Sequence, residues 1–304
     1  MIRYPQDPAE LAALDLDAQA EARKNGWLAR AAERIGTFKT AGRYNEKKGI
    51  WSEIKPAYMD LQHDKCAYCE RQFSKEAIEH DLEHFRPKSD VQPWPDEKAL
   101  QRLTDEDGHC DYTAPLGAAS AAGYYLLAYH TGNYCASCKV CNTIYKLNYF
   151  PVAAARTLKA DSPAAAETEQ PLLLYPLGAL HDAPEKLIRF EGVTPVPVFQ
   201  SGPRHLRARV TIDFFNLDCR EDLLRERARC LVEFARAYKD ATAGRSARER
   251  KEGEEDVALM RDPASPHANC VRCFHDLLQS HPARAAGYLK DARVLRQLLT
   301  TSQR

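Results

Sequence analysis

Residues 135–146 read CASCKVCNTIYK. Three cysteines recur at three-residue intervals, Cys135, Cys138 and Cys141. A further C-x-x-C pair, Cys66 and Cys69, lies upstream in KCAYCE (65–70). Two such pairs separated along a chain are the pattern of a closed zinc site with four thiolate ligands. The upstream pair is Cys66/Cys69; the downstream pair is Cys135/Cys138 or Cys138/Cys141. Asn142 and a helix-like segment follow Cys141, which favours Cys138/Cys141. A redox dithiol at CAYC is the alternative, but it needs no distant second pair.

The rest of the composition agrees with a metal role for these cysteines. Ten cysteines in 304 residues would suit a secreted disulfide scaffold only in a shorter chain with a signal peptide. The opening MIRYPQDPAELAAL lacks that signature, and no apolar run reaches a membrane span. A cytoplasmic protein without a membrane segment is expected. With 44% apolar residues, the chain supports one large or two modest domains. Formal net charge is zero, so any binding to nucleic acid needs a local basic patch.

The expected order of elements is as follows. Residues 7–38 have helical composition, interrupted at Gly26. Trp51, Ile54, Tyr58 and Leu61 recur at helical spacing, with Ser52 as cap and Pro56 near the first turns. A strand follows the first knuckle and stops at Pro87. Residues 90–128 have the composition of an insertion. CNTIYKLNYF reads as a short helix stopped by Pro151. Beyond an Ala/Asp/Glu/Pro-rich linker at 160–171, LLLYP and KLIRFEGVTPVPVF read as strands around a glycine turn. In DLLRERARCLVEFARAY (222–238), Leu224, Ala228, Leu231, Ala235 and Tyr238 share a helical face. The mixed-charge run 244–256 reads as a solvated loop or helix face. The pair in HANCVRCFH, Cys270 and Cys273, reads as core, as does Cys230; Cys110, Cys135 and Cys219 carry no assigned role. Arg204–Arg209 (RHLRAR) is either a nucleic-acid patch or an alternation into a core.

Chemistry concentrates between the knuckles, in IEHDLEHFRPKS (78–89). Two Glu-His pairs, Glu79-His80 and Glu83-His84, stand four residues apart. The second runs into Phe85-Arg86-Pro87-Lys88. A carboxylate and an Asn oxygen suit a hard cation such as Mg2+ or Mn2+. A neutral histidine beside them takes a proton from water. Arg86, Lys88 and Lys146 are candidates to hold phosphate oxygens. These are the parts for hydrolysing a phosphodiester with a single metal ion. His80, His109 and His130 read as incidental or helper residues.

The order KCAYCE, EHFRPKS, Asn133, SCKVCNTIYK and FP resembles the HNH endonucleases, which have the ββα-metal fold. The EHFRPK and YCE forms resemble bacterial HNH proteins of anti-phage systems of the Septu and retron type. The resemblance covers residues 65–151. It implies His84 as general base, Glu83 and Asn142 as ligands of the catalytic Mg2+ or Mn2+, and Asn133 as the residue that orients the base. It maps the structural Zn2+ ligands to Cys66, Cys69, Cys138 and Cys141. Cys135 is extra, and YHTGNY (129–134) departs from the pattern after the Asn.

The expectation is therefore an α+β protein. It has an N-terminal helical segment (1–64), a zinc-stapled ββα nuclease core (65–151, with the insertion at 90–128) and a C-terminal mixed α/β accessory domain (152–304). Metal-dependent cleavage of DNA in anti-phage defence is the expected activity. One rival keeps the nuclease as a subunit active only with an ATPase partner. The other is a catalytically silent zinc module binding DNA or protein, which has no use for Glu83, His84 and Asn142 together.

Overall fold

The computed structural model of the chain describes residues 1–5, 26–73, 79–107 and 116–301. The start of the expected N-terminal helix, His109 and Cys110 lie outside the described residues. The chain divides into two compact units. One comprises Arg3–Tyr68 and Phe73–Ala183; the other comprises Met1–Ile2, Cys69–Gln72 and Pro184–Arg304. Secondary structure is mixed, with helices and two separate two-stranded antiparallel sheets among the described residues. No described helix is long and apolar enough to cross a membrane.

In the first unit, α1 (Trp27–Ala41) begins directly after Gly26 and stops at Gly42, which takes φ 65°. Its buried residues Trp27, Ala31 and Phe38 form one face. Trp27 Nε1 donates to Ile50 O at 3.0 Å, turning the chain into a single 3-10 turn, Trp51–Ile54. Then α2 (Lys55–Leu61) starts with Pro56 in its first turn, where a missing N–H costs nothing.

Gln62, just past α2, is fully buried and uses its side-chain amide as a peptide would. It accepts from Ala136 N at 2.7 Å and donates to Ala136 O at 2.9 Å. Ala67 N also donates to Ala136 O, at 3.0 Å. These bonds bring the first knuckle to the outer edge of β2 (Tyr134–Cys138). The other edge of β2 pairs with β1 (His80–His84), in a register that sets His80 opposite Cys138 and His84 opposite Tyr134.

Strand β1 ends at His84, earlier than the proline stop expected from sequence. Phe85 N still reaches Asn133 O at 2.8 Å, and Arg86 then bonds a side chain instead of a strand.

The segment 90–128 returns against the site. Helix α3 (Glu97–Asp107) lies within it, and Val91 bridges Ser120. Tyr124 N donates to Pro87 O at 2.8 Å. Gly123 (φ 58°) makes this return possible, since a Cβ there would stand 2.7 Å from the Ser89 carbonyl carbon. Tyr124, Leu127 and Ala128 have no exposure at all, so the end of the insertion is core.

Residues 152–183 also belong to this unit, and the boundary expected at 151/152 falls instead after Ala183. The physical reason is packing and charge. Leu173 and Leu174 are fully buried, and Glu169, also fully buried, pairs with Arg86. The stretch LLLYP is not a strand; Pro171, just before it, makes an isolated bridge with Val152.

In the second unit, β3 (Ile188–Glu191) and β4 (Thr194–Pro197) form the expected hairpin around Gly192. Helices α4 (Gly202–Phe214), α5 (Glu221–Ala243), α6 (Ala247–Arg261), α7 (Ala268–Ser280) and α8 (Pro282–Thr301) follow. RHLRAR lies on α4, not on an alternating strand. Arg209 pairs with Asp213 and with Asp218. The charge run 244–256 forms most of α6. Its buried residue is Gly253, where a Cβ would meet the Ala241 backbone N of α5 at 2.4 Å. Phe190, Leu231, Phe234, Cys270, Val271 and Phe274 belong to the core here, which accounts for the Cys270/Cys273 pair without a metal.

The pairing of Arg86 with Glu169 tests the packing of the first unit. Arg86 Nε lies 2.7 Å from Glu169 Oε1 and neither side chain is exposed. Glu169→Ala leaves the buried guanidinium with the partly exposed Glu167 at 2.9 Å, and is expected to cost up to about 3–5 kcal/mol of unfolding free energy in a denaturant titration.

Candidate functional site

The Sγ atoms of Cys66, Cys69, Cys138 and Cys141 all lie within 4.8 Å of one another, and all four residues are buried. Tetrahedral zinc at about 2.3 Å from each sulfur sets the sulfurs about 3.8 Å apart, so this group could hold a zinc ion. Backbone amides point at the thiols: Cys138 N to Cys66 Sγ and Cys141 N to Cys138 Sγ, both at 3.4 Å. Such N–H···S contacts favour thiolate over thiol. Cys135 is not in the group. Its Sγ contacts Tyr68 Oη at 3.3 Å, and burial pushes its pKa well up. The alternation of β2 explains this, because Cys135 and Cys138 are an odd number of residues apart and face opposite ways. Among the described residues no disulfide forms.

Beside this group opens a cavity of about 320 Å³. Asp81, Glu83 and His84 of β1 line it, with Lys88, Asn142 and Leu147. Trp51, Ser52 and Lys55 close another side. His84 and Asn142 are thus brought to one space from either side of the 58-residue separation between them. His80 does not line the cavity; its ring sits 4.9 Å from that of Phe73.

His84 is oriented on three sides. Nε2 lies 3.0 Å from Ala128 O. A carbonyl only accepts, so Nε2 carries the proton and Nδ1 keeps the lone pair. The ring stands edge-on to Trp51 (5.0 Å) and Tyr134 (4.8 Å), and Tyr134 Oη donates to the same Ala128 carbonyl. Burial, and then the Lys88 cation, hold the His84 pKa well below the ordinary histidine value. The imidazole is therefore neutral at neutral pH, with its lone pair on Nδ1.

Asn133 does not touch the His84 ring. It is fully buried and bonded to backbone. Oδ1 accepts from Arg86 N (2.8 Å), and Nδ2 donates to Arg86 O (3.0 Å) and Leu127 O (3.1 Å). It fixes the segment that carries Ala128 O against the end of β1. Asn133 is thus linked to the His84 ring only through the segment that carries Ala128 O.

Asn142 lies in the helical segment Val140–Lys146 that follows β2. Its Nδ2 donates to Asp81 Oδ2 at 2.9 Å. With the amino group held by a carboxylate, Oδ1 is the atom left to accept a cation. Lys139 Nζ neutralises Asp81 from 2.6 Å. Asp81 was not singled out in the sequence, although its position two residues before Glu83 in a strand puts both on one face. Ala128 O had no side-chain signal at all.

Two of the three expected phosphate contacts are corrected. Arg86 has no exposure; its guanidinium binds Glu169 and Glu167 and lies 5.3 Å from the Phe150 ring centroid. Lys146 likewise has no exposure, and its Nζ is 3.4 Å from Glu83 Oε1. Burial raises the Glu83 pKa and lowers that of Lys146, each opposed by the partner's charge. Both cations serve the interior. Lys88 lines the cavity, with Nζ 4.5 Å from the Trp51 ring centroid.

The mouth of the cavity carries Leu147 in a rare backbone conformation, φ 40° and ψ −130°. Leu147 N bonds Asn142 O at 2.8 Å and Tyr149 N bonds Lys146 O at 2.9 Å. This places Leu147 at the turn position that glycine favours. A non-glycine residue there costs about 1–3 kcal/mol.

The chain is similar to the Septu protein PtuB of Bacillus mycoides (strain KBAB4), at 30% identity over 176 residues, which cover 58% of this chain and 50% of that protein. It spans about half the length of the relative it matches. No protein-family model matches the chain, and no solved structure matches it.

Purified protein is expected to carry about one zinc per chain by elemental analysis, because four thiolates fill a tetrahedral site. Cys69→Ser is expected to lose that zinc and lower the melting temperature, because metal binding is coupled to folding. Cys135→Ser is expected to retain it; zinc loss there would exchange the roles of Cys135 and Cys141.

Proposed function

We propose that this chain is a metal-dependent endonuclease of the HNH type that hydrolyses DNA phosphodiester bonds in anti-phage defence. The observation that carries the reading is the state of His84. Its Nε2 proton is committed to Ala128 O, and it shares a cavity with Glu83, Asn142 and Lys88. The likeness to PtuB supports the defence role.

The residues present suit a hard divalent ion. Lys146 engages Glu83 Oε1 and Asp81 holds Asn142 Nδ2, so Glu83 Oε2 and Asn142 Oδ1 are the donors that remain. Both are oxygens, as Mg2+ or Mn2+ require. Such an ion, when bound, supplies Lewis-acid stabilisation of the charge that develops on the phosphate and the leaving 3′ oxygen.

The chain's own groups do the rest. His84 Nδ1 accepts a proton from the attacking water. Trp51 and Tyr134 hold the ring in plane, and the Ala128 carbonyl stabilises the imidazolium that forms. Lys88 pairs with a phosphate oxygen. The buried Lys146 keeps Glu83 from repelling the substrate.

A second reading has one observation in its favour. With Arg86 and Lys146 buried and the formal net charge zero, the cavity offers few cations to DNA. A partner protein such as an ATPase would then supply DNA affinity, and co-purification with the chain would reveal it.

Nicking of supercoiled DNA tests the assignment. Cleavage is expected with Mg2+ or Mn2+ and to stop with EDTA. His84→Ala is expected to lower the rate by about 10²- to 10⁴-fold with zinc retained, and His80→Ala by at most about tenfold. Glu83→Ala and Asp81→Ala are expected to raise the metal concentration needed, while Glu79→Ala does not. An active His84→Ala enzyme would remove the base from the mechanism.

A further inference from the structure

We infer that Leu147 is an apolar wedge that enters the base stack of DNA next to the bond being cut. The inference rests on the nuclease reading and adds to it how the substrate is gripped.

Exposure alone would not carry it, since single exposed apolar side chains are ordinary. Leu147 is 49% exposed and Ile144, three residues earlier, is 62% exposed. The second observation is the backbone. Leu147 holds φ 40°, ψ −130°, in a turn fastened on every side. Lys146 O accepts from Tyr149 N, and Gln92 N donates to Asn148 O at 3.0 Å. Asn148 Nδ2 donates to Asp90 at 2.8 Å, and Tyr149 Oη to Asp96 at 2.6 Å. Glycine would take this conformation without strain, and a half-exposed leucine returns little to the core. The side chain is therefore held at a cost to folding, and its use lies outside folding.

The third observation is place. Leu147 lines the same cavity as His84, Glu83 and Asn142, so a molecule that fills that cavity lies against it. A protein docked on Leu147 would cover that cavity. Duplex DNA fits both features of the rim. Lys88 takes the phosphate, and an aliphatic side chain on the same cavity meets sugar and base, where such wedges unstack a step.

The test uses the full chain in a His84→Ala background, which holds DNA without cutting it. A short duplex carrying 2-aminopurine reports unstacking by a rise in fluorescence in the presence of Mg2+. The His84→Ala protein is expected to give that rise. Adding Leu147→Gly is expected to abolish it and to weaken binding about tenfold, the scale of one apolar contact to a base. Zinc content should stay unchanged, and the melting temperature should stay equal or increase because glycine relieves the turn.

A Leu147→Gly protein that melts markedly lower would make Leu147 a packing residue and overturn the inference. Unchanged binding and fluorescence, with the wild-type chain still cutting DNA, would also overturn it while sparing the nuclease reading; contact with a partner protein would then be the role left for Leu147. A wild-type chain that neither binds nor cuts DNA, alone or together with a co-purifying partner, would end both.

Discussion

The side-chain amide of Asn133 stands in for a missing strand. Where β1 ends, Arg86 would lose both of its ladder bonds. One amide satisfies both and also ties in Leu127 O, which accepts from His130 N as well. Each bond is worth about 1 kcal/mol net, and each buried group left without one costs about 1–3 kcal/mol. The geometric consequence is larger than the energy. With Leu127 held against Arg86, the next carbonyl, Ala128 O, falls within 3.0 Å of His84 Nε2. The tautomer of the candidate base thus follows from a hydrogen-bond arrangement that does not touch the histidine ring.

The same neighbourhood explains where the positive charge goes. Arg86 is fully buried because Glu169 and Glu167 wait for it, and because Phe85 and Phe150 present their ring faces. Glu169 also accepts from Tyr124 Oη at 2.7 Å, so the pair joins residues 86, 124 and 169 into one polar core. Lys146 is spent in the same way on Glu83. A segment that reads as a basic patch therefore yields a cavity with balanced charge.

The cysteine group and the polar core act on different ends of the same hairpin. The thiols gather where Cys138 closes β2, and Asn133 acts where Tyr134 opens it. Strand β1 is held at both ends, which keeps Glu83 and His84 in register with the helical segment that carries Asn142. The insertion belongs to this arrangement too, because Gly123 lets it return flush against Lys88 and Ser89 and deliver Ala128.

What sequence alone determined was local and chemical. Spacing narrowed the second cysteine pair to Cys135/Cys138 or Cys138/Cys141; the fold gathers Cys138 and Cys141 with Cys66 and Cys69, and alternation along β2 is the reason Cys135 stands apart. The hairpin around Gly192 and the helix after Arg220 were also legible, since each depends on residue type and short-range periodicity; His84, Glu83 and Asn142 were grouped by residue type and motif resemblance, and the fold sets all three around one cavity. Distances between remote segments were not. Arg86 and Lys146 looked like surface cations until packing set Glu169 and Glu83 against them; burial of a charge depends on a partner that can be eighty residues away. Asp81 and Ala128 joined the site, and residues 152–183 joined its unit, for the same reason. A strand shows which side chains share a face, but only the folded chain shows what that face meets.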